Sequence, residues 1–348
     1  MPTEVAATGS ETEPAGRNAT AGSAAPPDAI SVRGLSHTYP ATGWRQSQPA
    51  LADLSFEVEP GEIVAILGPN GGGKTTLFRI LATMLTPYPK QPGAARIFGY
   101  DVAGEAHAVR QQIGMVFQSP SLDGKLTAAE NLRHQGRLYG LRGLPLKQRI
   151  DEALKQFALT DRANERVERF SGGMRRRVEL AKALLHQPRL LLMDEPATGL
   201  DPAGRRELAN HLTRLKAQGT TIALTTHLMD EADRCDRVAI LDEGRLRAFD
   251  TPGTLKGMIG GEVVTIEPTE MPDNSPKELA RLIEASFGPF ESAAAPRAVG
   301  QTVRFETVAG PELIADLSQE LPARLQRVTV GQPTLEDVFL HLTGEPLA

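Results

Sequence analysis

The run Gly68-Pro69-Asn70-Gly71-Gly72-Gly73-Lys74-Thr75 constrains this chain more than any other stretch. It has the spacing G-x-x-x-x-G-K-[ST], and its flanks have the character that spacing requires. Ile63-Val64-Ala65-Ile66-Leu67 leads in as an apolar run, and Thr76-Leu77-Phe78-Arg79-Ile80-Leu81 leads out in helical style. A strand must therefore feed a glycine turn that opens a helix. Glycines lack a Cβ, so the backbone can curl until several N–H groups point at one anion. The helix N-terminus behind the turn adds partial positive charge. In such a loop Lys74 is expected to reach the β- and γ-phosphates of a nucleotide, and the Thr75 hydroxyl to ligate Mg²⁺. The candidate nucleotide contacts are Gly68, Pro69, Asn70, Gly71, Gly72, Gly73, Lys74, Thr75 and the following Thr76.

The remaining pattern says what surrounds that turn. Residues 190–193, 222–224 and 238–241 are short apolar runs without alternation. Such runs suit strands buried on both faces, as in a parallel sheet with helices on each side. Residues 30–32 and 51–58 alternate like half-buried strands, and residues 120–168 read as mostly helical. The expected fold class is α/β: a P-loop NTPase core over residues 29–255, with a helical subdomain at about 119–170. Near Gly260-Gly261 the character changes. Strands are expected at 263–266, 302–306 and 325–330, helices at 276–285 and 311–321, and a loop at 292–300. These make a small α+β domain over 262–348, regulatory or dimer-supporting.

The last helix opens on Thr334-Leu335-Glu336-Asp337, a capping-box pattern. Its stripe of Leu335, Val338, Phe339 and Leu342 fits either its own domain core or a dimer contact, while Glu336, Asp337 and His341 read as a solvated edge. Residues 1–28 nearly lack large apolar side chains and are expected to be disordered.

Composition excludes several classes. A net charge of −5 gives no bulk attraction to nucleic acid. The single cysteine, Cys235, rules out an internal disulfide and fits a reducing compartment, where it reads as a structural thiol. No run approaches the ~20 apolar residues that cross a bilayer. The first residues lack the basic-then-apolar order of a signal peptide. The expectation is a cytoplasmic protein whose membrane role, if any, comes through a partner.

Four further groups could complete a nucleotide engine. Asp194-Glu195 closes an apolar strand, where a carboxylate can contact Mg²⁺. Asp194 is the candidate for that role. Glu195, pointing the other way if the strand persists, can orient and deprotonate an attacking water. Ser171-Gly172-Gly173 precedes the basic Arg175-Arg176-Arg177, so it reads either as a second anion site at a helix N-terminus or as an ordinary cap before a solvated basic face. Gln118, at a strand end before Ser119-Pro120, either touches Mg²⁺ or water or merely closes the strand. His227, closing residues 222–226, is either a structural hydrogen-bonder or a γ-phosphate contact.

The order of these motifs, with Gly199-Leu200-Asp201 between Glu195 and His227, resembles that of ATP-binding cassette (ABC) ATPases over residues 30–253. The resemblance implies ATP and Mg²⁺ as cofactors, with Thr75, Gln118 and Asp194 around the metal and Glu195, His227, Lys74 and Gln118 in catalysis. It implies two copies paired head to tail, with Ser171, Gly172 and Gly173 of one capping the γ-phosphate held by Lys74 of the other. It further implies Asp201 at the subunit contact, Tyr39 stacked on adenine, and Gln118 beside the groove for a membrane partner's coupling helix. Trp44 competes with Tyr39 for the stacking role. The signature departs from the family pattern at Phe170 and Met174, so Met174 receives no nucleotide contact, and Gly72 stands where Ala is common.

Residues 333–343 are similar to the end of daunorubicin-resistance and multidrug exporter ATPases, which serve separate permeases of the ABC-2 type. The implied function is the ATPase of an exporter, peripheral on the inner face of the cell membrane, with no nucleic-acid partner. An importer ATPase and a soluble ABC ATPase acting on DNA or ribosomes are the alternatives. The single phosphate loop and the missing coiled coil weigh against the latter.

Overall fold

A computed structural model describes residues 27–40, 49–270, 274–288, 295–308 and 310–345. Residues 1–26, where most of the expected disorder falls, and Trp44 lie outside the described residues. The chain opens with β1 (Ile30–Thr38) and β2 (Pro49–Val58), then β3 (Ile63–Leu67), the glycine turn and α1 (Lys74–Leu81). Next come β4 (Ala95–Ile97), β5 (Tyr100–Asp101), α2 (Ala106–Gln112) and β6 (Ile113–Val116). A helical stretch follows: α3 (Ala128–Leu138), α4 (Gly143–Gln156) and α5 (Gly172–Leu184). The chain then returns through β7 (Leu190–Asp194), α6 (Pro202–Ala217), β8 (Thr221–Thr226), α7 (Met229–Ala232), β9 (Arg237–Asp242), β10 (Arg245–Asp250) and α8 (Pro252–Lys256).

The central sheet runs β10-β9-β3-β8-β7-β6, parallel except for β10. The unbroken apolar runs are explained by which face each residue serves. Ile63, Ala65, Leu67, Leu191, Met193, Ile222, Leu224, Val238 and Ile240 face one core, shared with α3 to α6. Val64, Ile66, Leu190, Leu192, Ala223, Ala239 and Leu241 face the other, shared with α1 and the antiparallel sheet β2-β1-β4-β5. With both faces covered there is no solvent side to demand alternation. The parallel order places the carboxyl ends of β3, β6, β7 and β8 at one edge, where ligands of such sheets bind.

Beyond residue 260 the chain forms β11 (Glu262–Pro268), α9 (Pro276–Phe287), β12 (Arg297–Val299), β13 (Thr302–Thr307), α10 (Gly310–Glu320), β14 (Leu325–Gly331) and α11 (Leu335–Thr343). These give an antiparallel sheet ordered β12-β13-β11-β14, with a core of Val264, Ile266, Leu279, Ile283, Val303, Phe305 and Leu317. Residues 297–299 pair with β13 rather than forming the expected loop, while residues 292–294 of that loop lie outside the described residues.

Two expectations about α11 are corrected. Its stripe of Leu335, Val338 and Phe339 is buried in the larger core of the central sheet with Leu255 and Ile259, not in the small sheet's core, and so is closed to a dimer partner. Asp337 is no solvated edge. It is 6% exposed and accepts from Thr334 N at 2.9 Å and Thr334 Oγ1 at 2.6 Å, completing the capping box. His341 Nδ1 lies 2.8 Å from Glu306, and Glu336 accepts from Arg304 at 2.7 Å. Among the described residues no helix is long and apolar enough to cross a membrane.

Candidate functional site

β3 ends buried at Leu67, and Gly68 follows because nothing larger fits: a Cβ there would stand 2.1 Å from the Leu241 carbonyl oxygen. Gly73 caps α1 with φ near 100°, where a Cβ would meet the Ala50 carbonyl oxygen at 2.7 Å. α1 has no side-chain cap, so its first N–H groups are left for an anion. Lys74 is buried, and its Nζ donates to the carbonyls of Gly68 (2.7 Å) and Pro69 (2.9 Å). Burial lowers its pKa below the usual lysine value, opposed by the carboxylates of Glu195 and Asp194. Thr75 and Asn70 are exposed at the mouth of the turn, and Thr76 is buried. The Thr76 hydroxyl lies 3.2 Å from Tyr39 Oη, and the Tyr39 ring stands edge-on to His37 with 4.7 Å between centroids. Tyr39 is thus tied beside α1 while 41% exposed, leaving ring surface open to a base.

Asp194 ends β7 directly opposite Thr225 of β8, whose hydroxyl donates to Asp194 Oδ1. Burial pushes the Asp194 carboxyl up from its ordinary pKa, while the Thr225 hydrogen bond and Lys74 pull it down. A cation beside this buried acid would be well placed. The oxygens of Asp194, Thr75 and the Gln118 amide are of the hard kind that suits Mg²⁺.

The strand does not persist into Glu195, which corrects the expected alternation. Glu195 turns with φ near 45°, and its N–H donates to Thr225 O at 3.1 Å and Thr225 Oγ1 at 3.0 Å. A turn, not a pleat, therefore aims its carboxylate. Gln118 Nε2 donates to Glu195 Oε2 at 2.9 Å, Thr198 Oγ1 donates to the same oxygen at 3.3 Å, and His227 Nδ1 stands 3.6 Å from Glu195 Oε1. Three strand ends, β6, β7 and β8, thus converge on one carboxylate.

The signature and Asp201 stand apart. Ser171 caps α5 by accepting from Met174 N at 3.3 Å, and a Cβ on Gly172 or Gly173 would meet nothing within 4 Å, so this helix start is an open face. Asp201 caps α6 by accepting from Gly204 N at 2.7 Å. Among the described residues no hydrogen bond or ion pair joins Ser171, Gly172, Gly173 or Asp201 to the Glu195 cluster.

The three arginines after the signature do not form a solvated basic face. Arg175 donates to Glu168 O at 2.8 Å, Arg177 pairs with Glu207 at 3.1 Å, and Arg176 is buried against Glu179 at 3.0 Å. Arg176 also donates to Phe117 O at 3.2 Å, while Glu179 accepts from Ser121 N at 3.0 Å, so the pair ties α5 to both sides of Gln118. Cys235 is a buried thiol that burial pushes up, as a structural role requires.

Sequence reasoning missed Thr225 and Thr198. Thr225 left one signal, a hydroxyl near the end of a strand that is buried throughout.

A family profile described as ABC transporter matches residues 51–198. The chain is 37% identical over 318 residues to the daunorubicin resistance ATP-binding protein DrrA3 of Streptomyces coeruleorubidus, covering 91% of this chain and 96% of that protein. It is 36% identical over 334 residues to the Nod factor export ATP-binding protein I of Neorhizobium galegae, covering 95% of this chain and 90% of that one. Among solved structures, the dimeric post-hydrolysis state of the ATP-binding cassette MJ0796, bound to ADP and Pi, superposes with a TM-score of 0.57. Its identity is 27%, and the match covers 64% of this chain and 98% of that one. An ATP-binding subunit of an ABC transporter superposes with a TM-score of 0.58 at 34% identity, over 66% and 93% of the two chains. The chain belongs to the ABC transporter family, as one of its ATP-hydrolysing ATP-binding proteins.

Proposed function

We propose that this chain powers an exporter: two copies close head to tail on ATP, hydrolyse it, reopen, and pass the free energy to a separate integral membrane permease of the ABC-2 type. The observation that carries the site assignment is the Glu195 carboxylate, held by Gln118 and Thr198 with His227 beside it, at the strand edge that also holds Lys74 and Asp194. The export direction is supported by the relatives' names, daunorubicin resistance and Nod factor export.

In this reading the glycine turn and the α1 amides bind the phosphates, and Lys74 leaves its carbonyl partners for the β- and γ-phosphates. Thr75, Asp194 and Gln118 hold Mg²⁺, which supplies charge neutralisation on the phosphate oxygens when bound. Glu195 orients the attacking water and takes its proton, with His227 facing the γ-phosphate. Tyr39 receives the adenine. The open helix start at Ser171, Gly172 and Gly173 caps the partner copy's nucleotide, with Asp201 at the contact between copies. The ATPase unit spans residues 29–255, with α11 packed into its core, and the small domain over 262–348 is regulatory or dimer-supporting. The site of action is the inner face of the cell membrane, reached through the permease.

The test is Lys74→Ala in the purified chain and in the chain reconstituted with its permease. ATP turnover should fall at least a hundredfold and transport should stop. Turnover that continues unimpaired removes the assignment.

A further inference from the structure

A cavity of about 660 Å³ opens between α6 and α7, away from the phosphate loop. Pockets of ~300–1,000 Å³ are the size that takes small ligands. Its floor is apolar: Leu212 and Leu224 are buried there, and Leu228 is partly so. Behind one wall lies a buried polar atom. Glu231 Oε2 is shut off from solvent and has no hydrogen-bond partner. Burial pushes the Glu231 carboxyl up from its ordinary pKa, with the Thr226 hydroxyl pulling it down.

The rim has the opposite character. Arg206 and Arg234 are exposed at the mouth, and no ion pair among the described residues involves either. Arg205 beside them spends its Nε on the Leu200 carbonyl and acts on the Glu231 carboxyl, and Asp230 is the exposed acid among the lining residues. Three guanidiniums against one exposed carboxylate leave a positive mouth over an apolar floor.

We propose that this cavity binds a small amphipathic anion, its apolar body on Leu212, Leu224 and Leu228 and its acidic head between Arg206 and Arg234. The position suits control of turnover. Leu228 follows His227, and Ala197, which lines the cavity, lies two residues beyond Glu195. An occupant therefore sits behind the Glu195–His227 pair. That consequence rests on the ATPase site assignment, whereas the binding does not.

The test uses the full chain and 8-anilinonaphthalene-1-sulfonate, an apolar body with one anionic head, titrated by fluorescence with and without saturating ADP. One class of site, indifferent to ADP, is expected. Ala209→Trp, which fills the cavity from α6, should weaken binding at least tenfold with an unchanged thermal melt. Arg206→Glu combined with Arg234→Glu, exposed changes that leave the core alone, should do the same. Displacement of the probe by ADP, or full binding in either folded variant, overturns the site. Competition by decanoate marks a free small anion as the natural class, and competition only by phosphatidylglycerol vesicles marks a lipid. Competition by neither overturns the amphipathic assignment. Failure of Lys74→Ala to affect turnover would leave all of these binding results standing.

Discussion

Gln118 and Glu195 stand 77 residues apart in the chain, and a 2.9 Å hydrogen bond joins the Gln118 amide to Glu195 Oε2. The loop that carries Gln118 is itself held to α5 through Arg176 and Glu179. The carboxylate proposed as the base is therefore linked mechanically to the helix that begins at Ser171.

Glu195→Gln should abolish proton transfer while keeping the side chain's shape. ATP turnover is expected to fall by about 10²–10⁴-fold with nucleotide affinity preserved, giving a long-lived closed dimer on size exclusion. Gln118→Ala should lower turnover less, because Thr198 still donates to the same oxygen. Steady-state ATPase assays alongside nucleotide-binding titrations check both. Normal turnover in Glu195→Gln would exclude it as the base.

The buried Arg176–Glu179 pair gives a stability test. Removing one partner of a buried pair costs about 3–5 kcal/mol, so Arg176→Met should show that loss in denaturant unfolding. Adding Glu179→Gln should recover part of it, since the lone charge is gone and an oxygen remains for Ser121 N. Burial already holds the Glu179 carboxyl above its ordinary pKa. Without Arg176 the folded state should hold that proton more tightly than the unfolded chain, so the single variant should lose stability as pH rises from 5 to 8. A pH-independent difference from wild type would refute this.

Phe339, the fifth residue of α11, is 2% exposed in the larger core. Phe339→Ala should cost about 3–5 kcal/mol of ATPase-domain stability by calorimetry. Deletion of the residues after 332 should lower the melting temperature of the ATPase core. A changed monomer–dimer balance with no change in melting would instead restore the dimer-contact reading of that stripe.

His186 stacks on Tyr139 with 3.7 Å between ring centroids, and its Nε2 lies 2.9 Å from Ile113 O. Burial lowers its pKa, partly opposed by that carbonyl. A histidine with a lowered folded pKa contributes stability that is present above the unfolded value near 6.5 and lost as pH falls toward the folded one. His37 and His211 shift the same way, also through burial. Melting temperature should therefore drop between pH 7 and pH 5.5, and the drop should be smaller in His186→Gln. Parallel pH profiles of the two proteins would contradict the assignment.

The glycine turn, the parallel sheet and the helices after β6 were legible because each depends on local pattern. Glycines answer a steric demand at Gly68 and Gly73, continuous apolar runs answer burial on two faces, and Thr334 with Asp337 answers the open end of a helix. What tertiary structure alone decided are relations between distant segments. The aim of Glu195 comes from a turn that Thr225 of a neighbouring strand fixes, which no periodicity records. The arginines after the signature look like a solvated face until Glu179, Glu207 and the Phe117 carbonyl are brought to them. The stripe on α11 reads as apolar in any setting, and only the packed chain chooses which core it joins. Burial of apolar area is non-directional, so a sequence can show that a face must be covered without showing by what.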